Sequence, residues 1–531
     1  MKKTILRVIA LCMLVLVLLT GCEPLLPQLG WYQTVAFSDM EYTRQDVTVL
    51  ETKYQAVLDS LAAEETVDKL MEKVFTFYED YHHYYTAYAL ANIYYCKDIT
   101  DPYWAEEYNY CLETGSQVDA MLDQMLYALA DYPDRAGLEA DEYFGKGFFD
   151  DYEGESLWDE TFTALSEQEA GLLAQYYEIN ARAVDLTYGT EEYFTTCGDA
   201  LADVFVELVK VRQEMAAYAG YKDYASFAYE FYYGRDYTPG QAEMLLSDIQ
   251  AYLVPMYQNL DYALLQEEYG KTSSQFQTFN YVKSCAQNMG GTVDAAFQLM
   301  ETAGLYDISF GENKYDASFE IFISDYYEPY VFVNPTGYIR DRLTFTHEFG
   351  HFANDYAAYG SAAGIDVAEF FSQGMEYLSL SYADGGSELT KLKMVDSLCL
   401  YVEQATYASF EQEVYSLDAK DLTKEKVYKL YQALGTAAGF GEDWDGRNFV
   451  AVPHFFISPM YIISYVVSND VAMQLYQLEQ SEKGAGLKKY VENLGTMEGQ
   501  FLAFVTAAGL ESPFAAGRIL AVKETFTRVL R

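Results

Sequence analysis

Apolar and aromatic residues recur every three or four positions over long stretches of this chain, and that period restricts the fold more than any other feature. From Thr66 to Tyr95, the residues Leu70, Val74, Phe77, Tyr81, Tyr84 and Tyr88 form one stripe, the mark of an amphipathic helix. The same spacing predicts helices at roughly 116–132, 166–186, 191–233, 240–268 and 292–304. Between Lys314 and Asn334 the period shortens. Ser318 to Ile323 and Tyr330 to Val333 are rich in aromatic and β-branched residues and are separated by Asp325 and Pro329, which predicts two short strands. Helices resume at roughly 340–358, 366–383, 387–417, 423–436, 459–480, 486–495 and 498–509, with a last one reaching Arg531. The expected fold class is mainly α, with a small sheet just before the helix at 340–358. The 52 tyrosines fall largely on these helices, where a ring packs inward and its hydroxyl reaches water or a partner.

A chain of 531 residues with 51% apolar side chains can bury a large core. The 81 acidic residues outnumber 34 basic ones, for a formal charge of −47. That field repels phosphate backbones and excludes a nucleic-acid partner, while weakly favouring cationic peptides. Lys2, Lys3 and Arg7 precede an apolar run from Val8 to Leu19, too short for a comfortable bilayer span. The run ends in Leu19-Thr20-Gly21-Cys22. This looks like a bacterial lipobox, with residues 1–21 as signal peptide, Cys22 as the lipid attachment and 22–39 as anchor and linker. The expected location is the extracytoplasmic side of the cell membrane. Helical domains are expected at 40–190 and, with the catalytic motif, at 191–531. Cys96, Cys111, Cys197, Cys285 and Cys399 are odd in number and widely spaced, so they read as buried free thiols, not as disulfides or a thiolate metal site.

The chemistry concentrates in Thr344-Phe-Thr-His347-Glu348-Phe-Gly-His351. Residues four apart on a helix share a face, so both imidazoles can address one ion, with Glu348 placed to take a proton from water. A catalytic zinc needs a third protein ligand and one open position. Seventeen residues separate His351 from Glu369, and Glu376 follows two turns later. Glu369 is assigned as the ligand and Glu376 as the acceptor that orients a histidine; the swapped assignment remains open here. Gly350 in mid-helix costs about 1 kcal/mol against alanine, a cost that makes sense where another backbone packs closely. His82 and His83 are adjacent, point to different sides of a helix and form no metal pair.

A third cluster, Pro453-His454 through Pro459, Tyr461 and Tyr465, places two phenols one turn apart. Their hydroxyls and the His454 imidazole could donate to an oxyanion or simply pack a core. In this order, His347-Glu-Phe-Gly-His351, Glu369-x-x-Ser-x-x-Met-Glu376 and His454 with Pro459, Tyr461 and Tyr465 resemble the thimet oligopeptidase and oligoendopeptidase F family of zinc peptidases. The resemblance is specific over roughly residues 315–470. It implies a helical bowl with a deep substrate channel, one zinc ion per chain and cleavage of oligopeptides. It further implies that His454, Tyr461 and Tyr465 line the substrate and steady the oxyanion, and that the strand over Tyr330 to Asn334 runs beside the substrate backbone. The rival readings are a lipid-anchored peptide-binding protein and a catalytically degenerate peptidase.

Overall fold

The computed structural model describes residues 34–140, 143–152, 157–182, 186, 189–360, 363–441, 444–496 and 499–530. Cys22 and the leader before it lie outside them. The chain divides into two units, each assembled from separated segments: Met1–Ser156, Gln266–Lys393 and Ala472–Gly499 in the first, and Leu157–Leu265, Met394–Val471 and Gln500–Arg531 in the second. The border expected near residue 190 therefore falls inside the second unit. Local signals mark where an element ends, whereas long-range packing decides which segments share a core.

In the first unit, helices α1 (Val47–Ala62), α2 (Val67–Lys97) and α3 (Pro102–Ala130) pack together. Asp46 and Asp101 cap α1 and α3 by accepting hydrogen bonds from the backbone N–H groups of Thr48 and Tyr103. The stripe read from the sequence is the buried face of α2: Leu70, Val74, Phe77, Tyr81 and Tyr84 are all at most 1% exposed. The Tyr84 hydroxyl donates to the Cys111 carbonyl at 2.7 Å, so this buried phenol is satisfied. His83 lies 2.7 Å from the Asp325 carboxylate. All five downstream thiols are free, as expected; Cys96, Cys111, Cys197 and Cys285 are buried, whereas Cys399 is only half-buried.

Downstream, α4 (Gln275–Met289) and α5 (Gly291–Ala303) lead into a three-stranded sheet. Strands β1 (Tyr306–Asp307) and β2 (Ser318–Ile323) flank β3 (Glu328–Val333), parallel and antiparallel respectively. The register runs from Ser318 opposite Val333 to Ile323 opposite Glu328. The strand over Tyr330 to Asn334, to which the resemblance gives a place beside the substrate backbone, is instead interior: β2 covers β3 along its length and β1 pairs with Val331 and Phe332. All six residues of β3 are buried. The outer strands are β1 and β2. The sheet packs against α6 (Asp341–Ala358), which in turn packs on α7 (Ile365–Tyr382). Asp341 anchors the start of α6 by accepting from the backbone N–H groups of Thr336 and Gly337 at 3.0 and 2.7 Å.

The second unit is helical throughout its described residues. Its expected helix at 191–233 is interrupted between Tyr218 and Tyr224, where Gly220 takes a left-handed backbone (φ 81°), and it widens into π-type turns at Phe194–Gly198 and Ala228–Tyr232. Phe205, Phe410, Phe449 and Phe456 form its aromatic core. No helix among the described residues is long and apolar enough to cross a membrane.

Candidate metal centre and active site

Helix α6 carries His347 and His351 one turn apart, with ring centroids separated by 5.0 Å. Helix α7 brings Glu369 to them. One ligand atom from each of these three residues lies within 4.8 Å of the others, and His347 Nε2 stands 3.4 Å from the Glu369 carboxylate. The helices meet this closely because Gly350 has no side chain. A Cβ there would lie 2.6 Å from Ser372 Cα and 2.7 Å from the Phe371 carbonyl oxygen, so the expected backbone contact is present. The Ser372 hydroxyl sits 3.2 Å from the Glu369 carboxylate.

Behind His347, Nδ1 lies 2.9 Å from one Glu376 carboxylate oxygen, and Lys393 donates to the other at 2.8 Å. Glu369 thus faces Nε2 of His347 and Glu376 faces Nδ1, the arrangement that the first of the two assignments requires. Donation from Nδ1 to Glu376 leaves the Nε2 lone pair directed at the other two donors. Lys393 is 1% exposed and had no sequence signal, because nothing in a helical run of Lys and Leu tells which lysine turns inward.

Electrostatics favour a cation here. Burial opposes charge on His347, but the hydrogen bond to Glu376 and the carboxylates of Glu369 and Glu348 outweigh it and hold the imidazole at about 9. Burial, followed by the charge on His347, keeps His351 well below its ordinary value and neutral. Glu348 is 7% exposed, and burial pushes its carboxyl up to about 7 despite the nearby His347. Burial is overcome at Glu376, where Lys393 and His347 bring the carboxyl down to about 2. A pocket that draws a proton onto an imidazole in this way also suits a dication.

The third cluster belongs to the second unit and is described there alone. His454, Tyr461 and Tyr465 do pack together, with ring centroids 5.2–5.9 Å apart, and the Tyr465 hydroxyl is 3.3 Å from His454 Nε2. The helix after Pro459 starts only at Ile463. Tyr461 therefore precedes it, presented by a turn in which Met460 is left-handed (φ 66°).

Solved structures share this architecture. A protein described as an oligoendopeptidase F superposes with a TM-score of 0.80 at 20% identity, covering 93% of this chain and 98% of that one. PZ peptidase A, solved with an inhibitor, gives 0.80 at 18% identity over 93% and 99%. A protein from Bacillus anthracis described as an oligoendopeptidase F gives 0.77 at 20% identity over 94% and 98%. At such identities the likeness establishes the fold. No curated protein sequence matches the chain. Residues 37–156, however, match the family model of the peptidase M3 N-terminal domain.

That segment carries the peptidase M3 N-terminal signature. It spans α1 to α3, in the helical region N-terminal to the motif that holds His347 and His351. The metal-site residues expected from the sequence are brought together in one unit, with Glu348 buried on the same helix. The sequence missed Lys393 behind Glu376, and it missed the buried arginines described below that hold the segment carrying His454 and Tyr461.

Proposed function

We propose that this protein is an M3-type, zinc-dependent endopeptidase that hydrolyses oligopeptides at the extracytoplasmic face of a cell membrane, tied there by a lipid on Cys22. The observation that carries the zinc reading is the meeting of His347, His351 and Glu369 around one point. Donors about 2.0–2.1 Å from a tetrahedral zinc stand about 3.4 Å from each other, and His347 Nε2 and Glu369 have that separation. Two imidazoles and one carboxylate form a donor set that suits zinc and leaves a fourth position for water.

Zinc bound there would supply Lewis acidity, polarising the peptide carbonyl and lowering the pKa of water towards about 7. Glu348, next to His347 on the same helix, takes the proton of the attacking water and delivers it to the leaving amine. Glu376 keeps the His347 ring in the tautomer that offers Nε2. His454, Tyr461 and Tyr465 are assigned the hydrogen bonds to the developing oxyanion. Their support is the family resemblance and their packing as one group of donors. Burial pulls His454 down to about 4, so near neutrality it is an uncharged imidazole with a single N–H to donate. The anchor assignment rests on the basic start, the apolar run and Leu19-Thr20-Gly21-Cys22.

Glu348→Gln tests the mechanism. The variant should retain about one zinc per chain and lose turnover of a quenched oligopeptide by about 10²–10⁴-fold. A variant with wild-type turnover would end this account, as would a wild-type protein that hydrolyses the peptide after its metal has been stripped.

A further inference from the structure

The turn that presents Tyr461 is held from several sides. Met460 is 2% exposed and left-handed without being glycine, a conformation that costs an L-residue about 1–2 kcal/mol and persists only where its surroundings over-determine it. Its N–H donates to Glu411 at 2.7 Å, and Glu411 is 1% exposed. Its carbonyl accepts from the Arg235 guanidinium at 2.8 Å. The preceding carbonyl, of Pro459, accepts from the Tyr233 hydroxyl at 2.8 Å.

Arg235 itself is 6% exposed and lies against the rings of Tyr229, Tyr233 and Tyr237, at 4.4, 4.4 and 5.6 Å from their centroids. Its second terminal nitrogen donates to Ser464 Oγ at 2.8 Å. One rigid fork thus grips the chain one residue before Tyr461 and three residues after it. Upstream, Arg212, 1% exposed, donates to the Phe455 carbonyl at 3.3 Å and also to that of Phe456, the two residues that follow His454. All of these contacts lie within the second unit.

We propose that Arg235 is a positioning residue for peptide hydrolysis: by bracketing Tyr461 at Met460 and Ser464, it holds the phenol hydroxyl in the place from which it donates to the oxyanion. The inference rests on the oxyanion role given above to Tyr461. A left-handed turn with free ends would sample other conformations and swing the ring with it. Here the guanidinium removes that freedom before substrate arrives, and a displacement of about 1 Å at a reacting group can cost about a hundredfold in rate. Lysine cannot replace this grip, because a single ammonium does not reproduce the planar two-nitrogen fork or its stacking on tyrosine rings.

The experiment compares Arg235→Lys, Tyr461→Phe and the double variant in the full-length protein, reading kcat and KM on a quenched oligopeptide together with zinc content. Arg235→Lys should lower kcat about tenfold or more, change KM by less than about twofold and leave zinc content unchanged. Tyr461→Phe should also lower kcat, and Arg235→Lys should cost nothing further in that background. A merely structural role for Arg235 would lower the melting temperature without this split and without this dependence on Tyr461. Wild-type kcat in Arg235→Lys, or losses that multiply in the double variant, would overturn the inference while leaving the oxyanion reading intact. Wild-type kcat in Tyr461→Phe would instead remove the oxyanion reading, and the inference with it. Should Arg235→Lys fail to fold, Ser464→Ala removes one of the two attachment points alone. It should lower kcat in the same direction by a smaller factor, and unchanged kcat there would also overturn the inference.

Discussion

Glu411 shows how far a single carboxyl can depart from its ordinary behaviour in this protein. Burial pushes it up to about 8, against the hydrogen bond from Met460 and the charges of Arg235 and Arg212. A carboxyl whose pKa is higher folded than unfolded stabilises the native state fully below its unfolded value and loses that contribution as pH rises through the folded value. Glu411 therefore lowers stability progressively between about pH 4.5 and 8. Glu411→Gln removes this titration, so its unfolding midpoint relative to wild type should climb between pH 5 and pH 8.5. A difference that stays constant with pH would refute the assignment. His347, Glu348 and His351 were legible as candidates because their grouping follows from residue type and helical spacing. Glu411, Arg235 and Lys393 were not, since a charged residue on a helical pattern reads as a solvated face until the fold buries it.

At the scale of elements, the decisive contact is between α6 and α7. Alanine at Gly350 would favour the helix by about 1 kcal/mol in isolation, but its Cβ would strike the backbone of Ser372 and Phe371, which cannot turn aside as a side chain can. We expect Gly350→Ala to force the two helices apart, lowering stability by about 1–3 kcal/mol and weakening zinc binding as Glu369 withdraws from the histidines. Thermal melts and competition with a chelator measure the two effects. A variant more stable than wild type with unaltered zinc affinity would contradict the prediction. The periodic pattern located α2, α6 and α7 to within about two residues at most of their ends. It placed Tyr461 on the helix with Tyr465, and failed there because the left-handed backbone at Met460 depends on distant partners, Glu411 and Arg235, that no local window contains.

On the scale of the whole molecule, the chain contributes three separated segments to each of its two units, an interleaving that no composition shift announced. The group of His347, His351 and Glu369 lies in the first unit and the His454 cluster in the second. The anchor belongs to this scale too. If Cys22 carries a lipid, cells fed a labelled fatty acid should incorporate label into the wild-type chain and none into Cys22→Ala. An unlabelled wild-type chain would remove the anchor and leave the peptidase untouched.

What the amino-acid sequence determined alone was whatever depends on short-range spacing: the helical class, the two strands and the pairing of His347 with His351 on one helix face. Periodicity and one-turn geometry are properties of the local chain, so they survive without knowledge of the fold. Only the tertiary structure set Glu369 beside Nε2 and Glu376 beside Nδ1 of His347, put Lys393 behind Glu376, put β3 inside the sheet and closed the grip of Arg235 on the turn before Tyr461. Each of these joins residues far apart in sequence, and such contacts form only when buried charge, close backbone approach and packed rings are satisfied together.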